Sequence, residues 1–321
     1  MLIYSMGLLD IIAKIFGFDK SSPQSVPEDI KPTPITPNVI VNKPVVDTAV
    51  TSSASNANRF GTFIIPDIYP PDLGQHPPFS VLPGLVVSDK EVIGCYIKCS
   101  EGLGWGASNE AWFRRSWAEI KAVGKDRYGV DWFRGAYHFL RFDTSGAKQA
   151  DYFCDLIESA GGWAPGDLMP WVDVEEGGQG SWAGGEKLEV IKDQAKRRRL
   201  AMEVTNCTMA FISRVKERYP GIKVGVYGRG VFRDLQMSNA RFGADGACNP
   251  AYTQHMPPMD QYGWPLADIV EWQLCGDGEV YANGFPSLLP GWGKTDYSVV
   301  INGAQRTGLV DVRKRCLARS R

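Results

Sequence analysis

The sequence predicts an α/β chain folded as a single (β/α) TIM-like barrel, preceded by an amphipathic helix and a Pro-rich arm. Three observations predict it. From Arg59 onward, short apolar β-rich runs alternate with helical patterns, the order that parallel strands joined by crossover helices produce. The alternating region, residues 59–309, has the length of one barrel, about 250 residues, and shows no internal repeat. The chain of 321 residues is 44% hydrophobic and 22% charged, an ordinary composition for a globular protein.

The chain begins with an apolar stripe. In residues 1–20, Leu8, Ile11, Ile12 and Ile15 fall on one helical face, widened by Leu9 and Phe16. So short a helix is marginal in water by itself and needs a surface to lie against. That surface is the parent domain, a partner protein or, least of all given the little positive charge on its polar face, a membrane interface. Residues 1–20 are read as an amphipathic docking segment, with a disordered tail of no consequence as the alternative. Residues 21–58 read as a linker. Pro23, Pro27, Pro32, Pro34, Pro37 and Pro44 stiffen it, and the Ser/Ala/Asn run 51–58 loosens its end. Strands are expected at Phe60–Ile65, Val92–Lys98, Gly135–Phe139, Met169–Val174, Lys223–Tyr227 and Ile269–Leu274. Helices are expected at Asn109–Val123, Ser145–Ala160 and Leu188–Ile212, the last continuing to Tyr219. Stretches 177–200 and 238–263 look like enlarged loops. Residues 310–321 form a basic tail.

The counts exclude several chemistries. Lys plus Arg is 35 and Asp plus Glu is 36, a balance that argues against a nucleic-acid partner, since phosphate binding needs a basic excess. No apolar run reaches the roughly 20 residues of a transmembrane helix. The N-terminal run has no basic region before it and no small-residue cleavage site after it, so no signal peptide is expected. The seven cysteines include no Cys-x-x-Cys and are expected as reduced, buried thiols, with Cys95 and Cys99 on one strand face. The three histidines, His76, His138 and His255, lie in no metal-ligand spacing, so a zinc site of known spacing is not expected.

The most informative segment is Pro170-Trp171-Val172-Asp173-Val174-Glu175-Glu176, a strand running into a Gly-rich loop. Alternation puts Asp173 and Glu175 on one face, with Cβ atoms roughly 7 Å apart at about 3.3 Å rise per residue. Two carboxylates so placed suit glycoside hydrolysis, in which one is protonated and the other anionic, and mutual repulsion helps to part their pKa values. A barrel presents such a pair at the C-terminal ends of its strands. Asp173 as a loop cap and Glu175 as a solvated surface residue is the alternative reading of this segment alone.

Phe60 to about Asn302 resembles the glycoside hydrolase family 25 lysozymes, the Chalaropsis-type muramidases. The matching segments keep the family's order: Ile65-Pro66-Asp67-Ile68, Tyr96-Ile97-Lys98-Cys99-Ser100-Glu101-Gly102, Gly135-Ala136-Tyr137-His138-Phe139, Trp171-Val172-Asp173-Val174-Glu175, Val226-Tyr227, Trp272-Gln273 and Thr295-Asp296-Tyr297. The resemblance implies cleavage of the β-1,4 bond between N-acetylmuramic acid and N-acetylglucosamine in peptidoglycan, with no metal and no organic cofactor needed. It implies Glu175 as general acid and Asp173 as the group that orients or polarises the substrate's N-acetyl group or a transition-state charge. Asp67 and Asp296 would complete the acidic cleft and bind sugar, and Tyr137, Tyr227 and Trp272 would shape the subsites. Asp72 stands near enough in sequence to compete with Asp67. Glu101 and His138 are expected to be buried structural polar residues.

The implied partner is the peptidoglycan glycan strand. The apolar segment and stiff arm, with no export signal, point to a phage wall-degrading enzyme docked on a virion or tail protein through residues 1–58. Its place would be the virion tail, or the host wall and periplasm at the point of action. A free phage endolysin, or a non-catalytic glycan-binding virion protein on the same barrel, are the alternatives.

Overall fold

The computed structural model describes residues 63–69, 79–87, 90–124, 132–164, 166–176, 187–237, 242–251, 269–276 and 295–300. Segments 1–20, 21–58 and 310–321 lie outside the described residues, as do Asp72, His76, His255 and Cys316. In chain order the elements are β1 (Phe63–Ile68), β2 (Val86–Val87), β3 (Lys90–Val92), β4 (Gly94–Glu101), α1 (Ala107–Ala122), β5 (Phe133–Phe139), α2 (Gly146–Ser159), β6 (Trp171–Asp173), α3 (Gln194–Arg218), β7 (Gly225–Tyr227), α4 (Gly230–Asp234), β8 (Gly246–Pro250), β9 (Ile269–Cys275) and β10 (Asp296–Val300).

Eight strands close a ring in the order β1-β4-β5-β6-β7-β8-β9-β10, with β10 pairing back to β1. Neighbours from β1 through β9 run parallel, and β10 runs antiparallel to both of its partners. The β2–β3 hairpin sits outside the ring, β3 extending the edge of β1 just before β4. Helices start where side chains cap them: Ser145 accepts from the Lys148 N–H at α2, and Asp193 accepts from Ala195 and Lys196 at α3. Alternation along each strand divides the apolar residues in two. Outward residues such as Cys95, Ile97, Cys99, Val172 and Val226 pack under the helices with Phe113, Phe153 and Phe211. Inward residues Ile65, Ile93, Phe133, Leu168, Met169 and Val270 plug the barrel interior.

Two glycines make room inside the ring. A Cβ on Gly135 would lie 2.1 Å from the Tyr96 ring, and one on Gly225 would lie 2.0 Å from the Trp171 ring. The rings occupy that space, and the Tyr96 hydroxyl reaches across β5 to donate to the Met169 carbonyl at 3.0 Å. Arg134 is buried nearby, with a two-pronged ion pair to Asp167 at 2.8 and 2.9 Å and its guanidinium 3.9 Å from the Trp117 ring centre.

The barrel expectation holds, with four corrections. The strands are not all parallel: β10 runs antiparallel to β9 and β1, and the alternation of strand and helix says nothing about the direction of the strand that closes the ring. Strand β8 lies inside the stretch 238–263 read as loop; its Gly, Asn and Pro read as turn signals, yet four of its five residues are buried. The first strand is shifted to Phe63–Ile68 and passes through Pro66, which sits opposite Tyr297. The long helix begins at Gln194, not Leu188, since Leu188–Val190 is a separate 3₁₀ turn and Asp193 caps the helix proper; residues 194–200, also read as loop, are its first turns. All six described cysteines are free and buried, and Cys95 and Cys99 share the outward face as expected.

Candidate active site

The site is built from the inward positions at the C-terminal ends of the parallel strands. On β6, Trp171 and Asp173 turn inward while Val172 packs outward. Backbone bonds hold this end in place: Leu140 N–H donates to the Asp173 carbonyl and Val174 N–H to the Tyr227 carbonyl, both at 2.9 Å. Around Asp173 the pocket is lined by Asp67 from β1, Tyr96 from β4, Tyr137 from β5 and Tyr227 from β7. Cys248, Glu271, Gln273 and Ser298 complete it from β8, β9 and β10. Together with the open solvent at its mouth, the space measures about 320 Å³.

The pocket is acidic, and its acids oppose one another. Burial first, and the Glu175 charge second, hold the Asp173 carboxyl well above the usual carboxylate range; Lys98 pulls the other way. Burial and then Asp296 raise Asp67, while a hydrogen bond with Tyr137 lowers it. Asp67 Oδ1 and Asp173 Oδ1 are buried with no hydrogen-bond partner among the described residues. Tyr137 keeps its proton, raised by burial and then by Asp67, Asp173 and Asp296. Tyr227 donates to Gln273 Oε1 at 2.6 Å, and Gln273 Nε2 donates to Asp296 Oδ2 at 3.3 Å. Gln273 thus fixes a phenol on one side and a carboxylate on the other.

Glu175 lies two residues beyond the end of β6, half-buried, and its charge acts on both Asp173 and Asp67. Glu176 turns to structural use, accepting from Leu188 N–H at 3.0 Å. The structure therefore lines one pocket with Asp67, Asp173, Tyr137 and Tyr227, while Glu175 and Asp296 stand outside that lining and act on its acids through their charge.

Trp272 is the exception and corrects the expectation that it shapes a subsite beside the tyrosines. Its neighbours Glu271 and Gln273 face the pocket, whereas Trp272 packs against the outer core and donates Nε1–H to the Ala251 carbonyl at 2.7 Å. The sequence reading picked the aromatic residue of this strand and missed the two polar ones. The signal available was alternation: Gln273 two residues from Glu271, both polar in a strand otherwise apolar.

His138 is structural, as expected. It stacks on Phe211 with centroids 4.7 Å apart, and burial pushes its pKa down to about 3. Gln149 Oε1 accepts from Arg141 N–H at 2.8 Å, so it also accepts from His138 Nε2, leaving Nδ1 to take the Ser100 hydroxyl proton at 2.7 Å. Glu101 departs from the expectation of burial: its side chain is half-exposed, paired with Lys98 at 2.8 Å and Arg141 at 3.6 Å. The Lys98 ammonium sits over the rings of Tyr69, Trp105 and Phe139 at 4.8, 5.5 and 4.6 Å.

Among the described residues no three His, Cys, Asp or Glu stand close enough to hold a metal ion. What the arrangement offers is proton transfer and charge stabilisation by paired carboxyls in a partly dry pocket.

Comparison with known proteins addresses the same region. The profile of the glycosyl hydrolases family 25 matches residues 86–281, more than half of the chain. No curated protein sequence matches. Among solved structures, a muramidase from Trichobolus zukalii is similar with TM-score 0.51 and 18% identity, over 81% of this chain and 100% of that one. A lysozyme from Streptomyces coelicolor is similar with TM-score 0.51 and 19% identity, over 76% and 94%. A muramidase from Acremonium alcalophilum gives TM-score 0.50 and 18% identity, over 81% and 100%. At these identities the structures speak for a shared fold, and the sequence profile places a chain with this barrel in a family: the protein belongs to the glycosyl hydrolases family 25 and is a glycoside hydrolase.

Proposed function

We propose that the protein is a muramidase that hydrolyses the β-1,4 bond between N-acetylmuramic acid and N-acetylglucosamine in peptidoglycan. The observation that carries this reading is the delivery of Asp173 into the acid-lined pocket with Glu175 as the strongest charge upon it. Family membership and likeness to muramidase folds support it.

In this reading Glu175 protonates the leaving oxygen and Asp173 polarises the N-acetyl group of the sugar. In the free enzyme, burial favours the proton on Asp173. A sugar N–H donated to Asp173 stabilises its anion. Asp67 and Asp296 stabilise positive charge developing on the sugar, Tyr137 and Tyr227 set the pocket walls, and Gln273 holds Tyr227 and Asp296 in register.

The test is reducing-end release from purified peptidoglycan with mass analysis of the fragments. Fragments ending in reducing N-acetylmuramic acid, lost in Glu175→Gln, are expected. Fragments ending in N-acetylglucosamine refute the bond assignment, and no turnover by the wild type leaves a non-catalytic glycan-binding barrel.

We further propose that the enzyme rides on a phage particle, docked through residues 1–58 to a virion or tail protein, and works where the tail meets the host wall. The apolar face of residues 1–20 and the proline-stiffened arm support this. Deleting residues 1–58 is expected to abolish incorporation into particles and spare wall hydrolysis. Protein found in lysates and absent from purified wild-type particles favours a free endolysin.

A further inference from the structure

Glu271 is the deepest carboxyl of the pocket and has no part in the mechanism above. It is 1% exposed, against 6% for Asp173. Its Oε1 is buried, lies in a residue that lines the pocket, and has no hydrogen-bond partner among the described residues. None of the described cations compensates it: burial raises its pKa to about 8, opposed only by a hydrogen bond with Tyr96, so it is uncharged at neutral pH. An uncharged carboxyl has one O–H to give and one carbonyl oxygen that accepts. The Tyr96 hydroxyl, which donates to the Met169 carbonyl at 3.0 Å, is, among the described residues, the one group that favours the Glu271 anion, and it leaves Oε1 unmatched. That leaves a carbonyl-type acceptor at the bottom of a pocket walled by the Tyr96 and Trp171 rings.

We propose that Glu271 is a specificity-determining residue that accepts a hydrogen bond from a hydroxyl at the far end of the acyl group on the sugar nitrogen. The proposal rests on the muramidase reading, in which the acylamino group of the glycan enters this pocket. Asp173, nearer the mouth, meets the amide N–H. Glu271, below it, meets what the acyl chain ends in. An acetyl group ends in a methyl and leaves the buried acceptor unsatisfied, whereas a glycolyl group ends in a hydroxyl and satisfies it. Leaving a buried acceptor unpaired is the costly outcome, and a site built around such an acceptor discriminates against the ligand lacking the donor.

The experiment uses de-N-acetylated glycan strands re-acylated on nitrogen with either acetyl or glycolyl groups. Wild-type kcat/KM, from reducing-end release, is expected to favour glycolyl strands by about five- to tenfold, the worth of one net hydrogen bond. In Glu271→Leu, and in Glu271→Met should the first variant fold poorly, the ratio is expected to fall to about one. Glu271→Gln, which keeps a carbonyl oxygen in place, is expected to retain the preference. Equal or inverse wild-type rates, or a preference that survives in Glu271→Leu, overturn the proposal. No release from either strand refutes the muramidase reading instead. Calorimetric binding of the two strands to the wild-type protein then reads the preference without turnover, and equal affinities overturn it.

Discussion

At the residue scale the chemistry depends on how burial parts groups of one kind. Asp173 and Glu175 are two positions apart, yet one is sunk in the pocket and the other lies past the strand end. Glu175→Gln is expected to lower kcat by about 10²–10⁴-fold, the usual worth of a general acid, with little change in KM. Gln273→Leu removes the acceptor of Tyr227 and a donor to Asp296. It is expected to lower kcat/KM by about tenfold and stability by about 1–3 kcal/mol, read from hydrolysis rates and urea unfolding. The Asp-x-Glu pair was legible because residue type and strand alternation are local properties. Glu271 was not. The register slips between Ala247 and Cys248, so that Cys248 faces Glu271 where even pairing would put Val270 opposite. Such an irregularity re-aims the side chains around it, and no residue spacing in the sequence announces it.

At the element scale, two short strands are shaped by what crosses them. β7 carries Gly225 because the Trp171 ring lies where its Cβ would be, and Trp171 belongs to the same strand as Asp173. Gly225→Ala is expected to destabilise the fold by about 1–3 kcal/mol through overpacking, and to lower activity more than stability alone accounts for as Trp171 and Asp173 move together. Denaturant midpoints beside kcat at matched folded fractions test this. Strands rich in β-branched and aromatic residues were readable from the sequence, as were the helices with clear caps. β8, a run of Gly, Ala, Cys, Asn and Pro, was not, because its place in the ring comes from neighbours on both sides and owes little to its own propensity.

At the scale of the whole molecule, the barrel draws Asp67, Asp173 and Glu271 from three strands into one low-dielectric pocket, with the charge of Asp296 acting on Asp67 and Asp173. Asp67, Asp173 and Glu271 all have pKa values raised by folding. A carboxyl raised on folding binds more protons in the native than in the unfolded state, so its contribution is intact below the unfolded value and is lost as pH rises toward the folded value. For Glu271 the window runs from its ordinary value of 4.5 to about 8. Thermal stability is therefore expected to fall between pH 4.5 and 8, and Glu271→Gln is expected to flatten part of that fall in calorimetric scans. A Tm that rises across the interval in the wild type contradicts the assigned burial. The sequence by itself determined the barrel class, most of the strands and helices, and the Asp173–Glu175 pair, since each is written in short-range periodicity. Only the tertiary structure decided the direction of β10, the inward turn of Glu271 and Gln273 in place of Trp272, and the gathering of distant acids around one pocket. Those depend on strand register and ring closure, which are set by contacts between residues far apart in the chain.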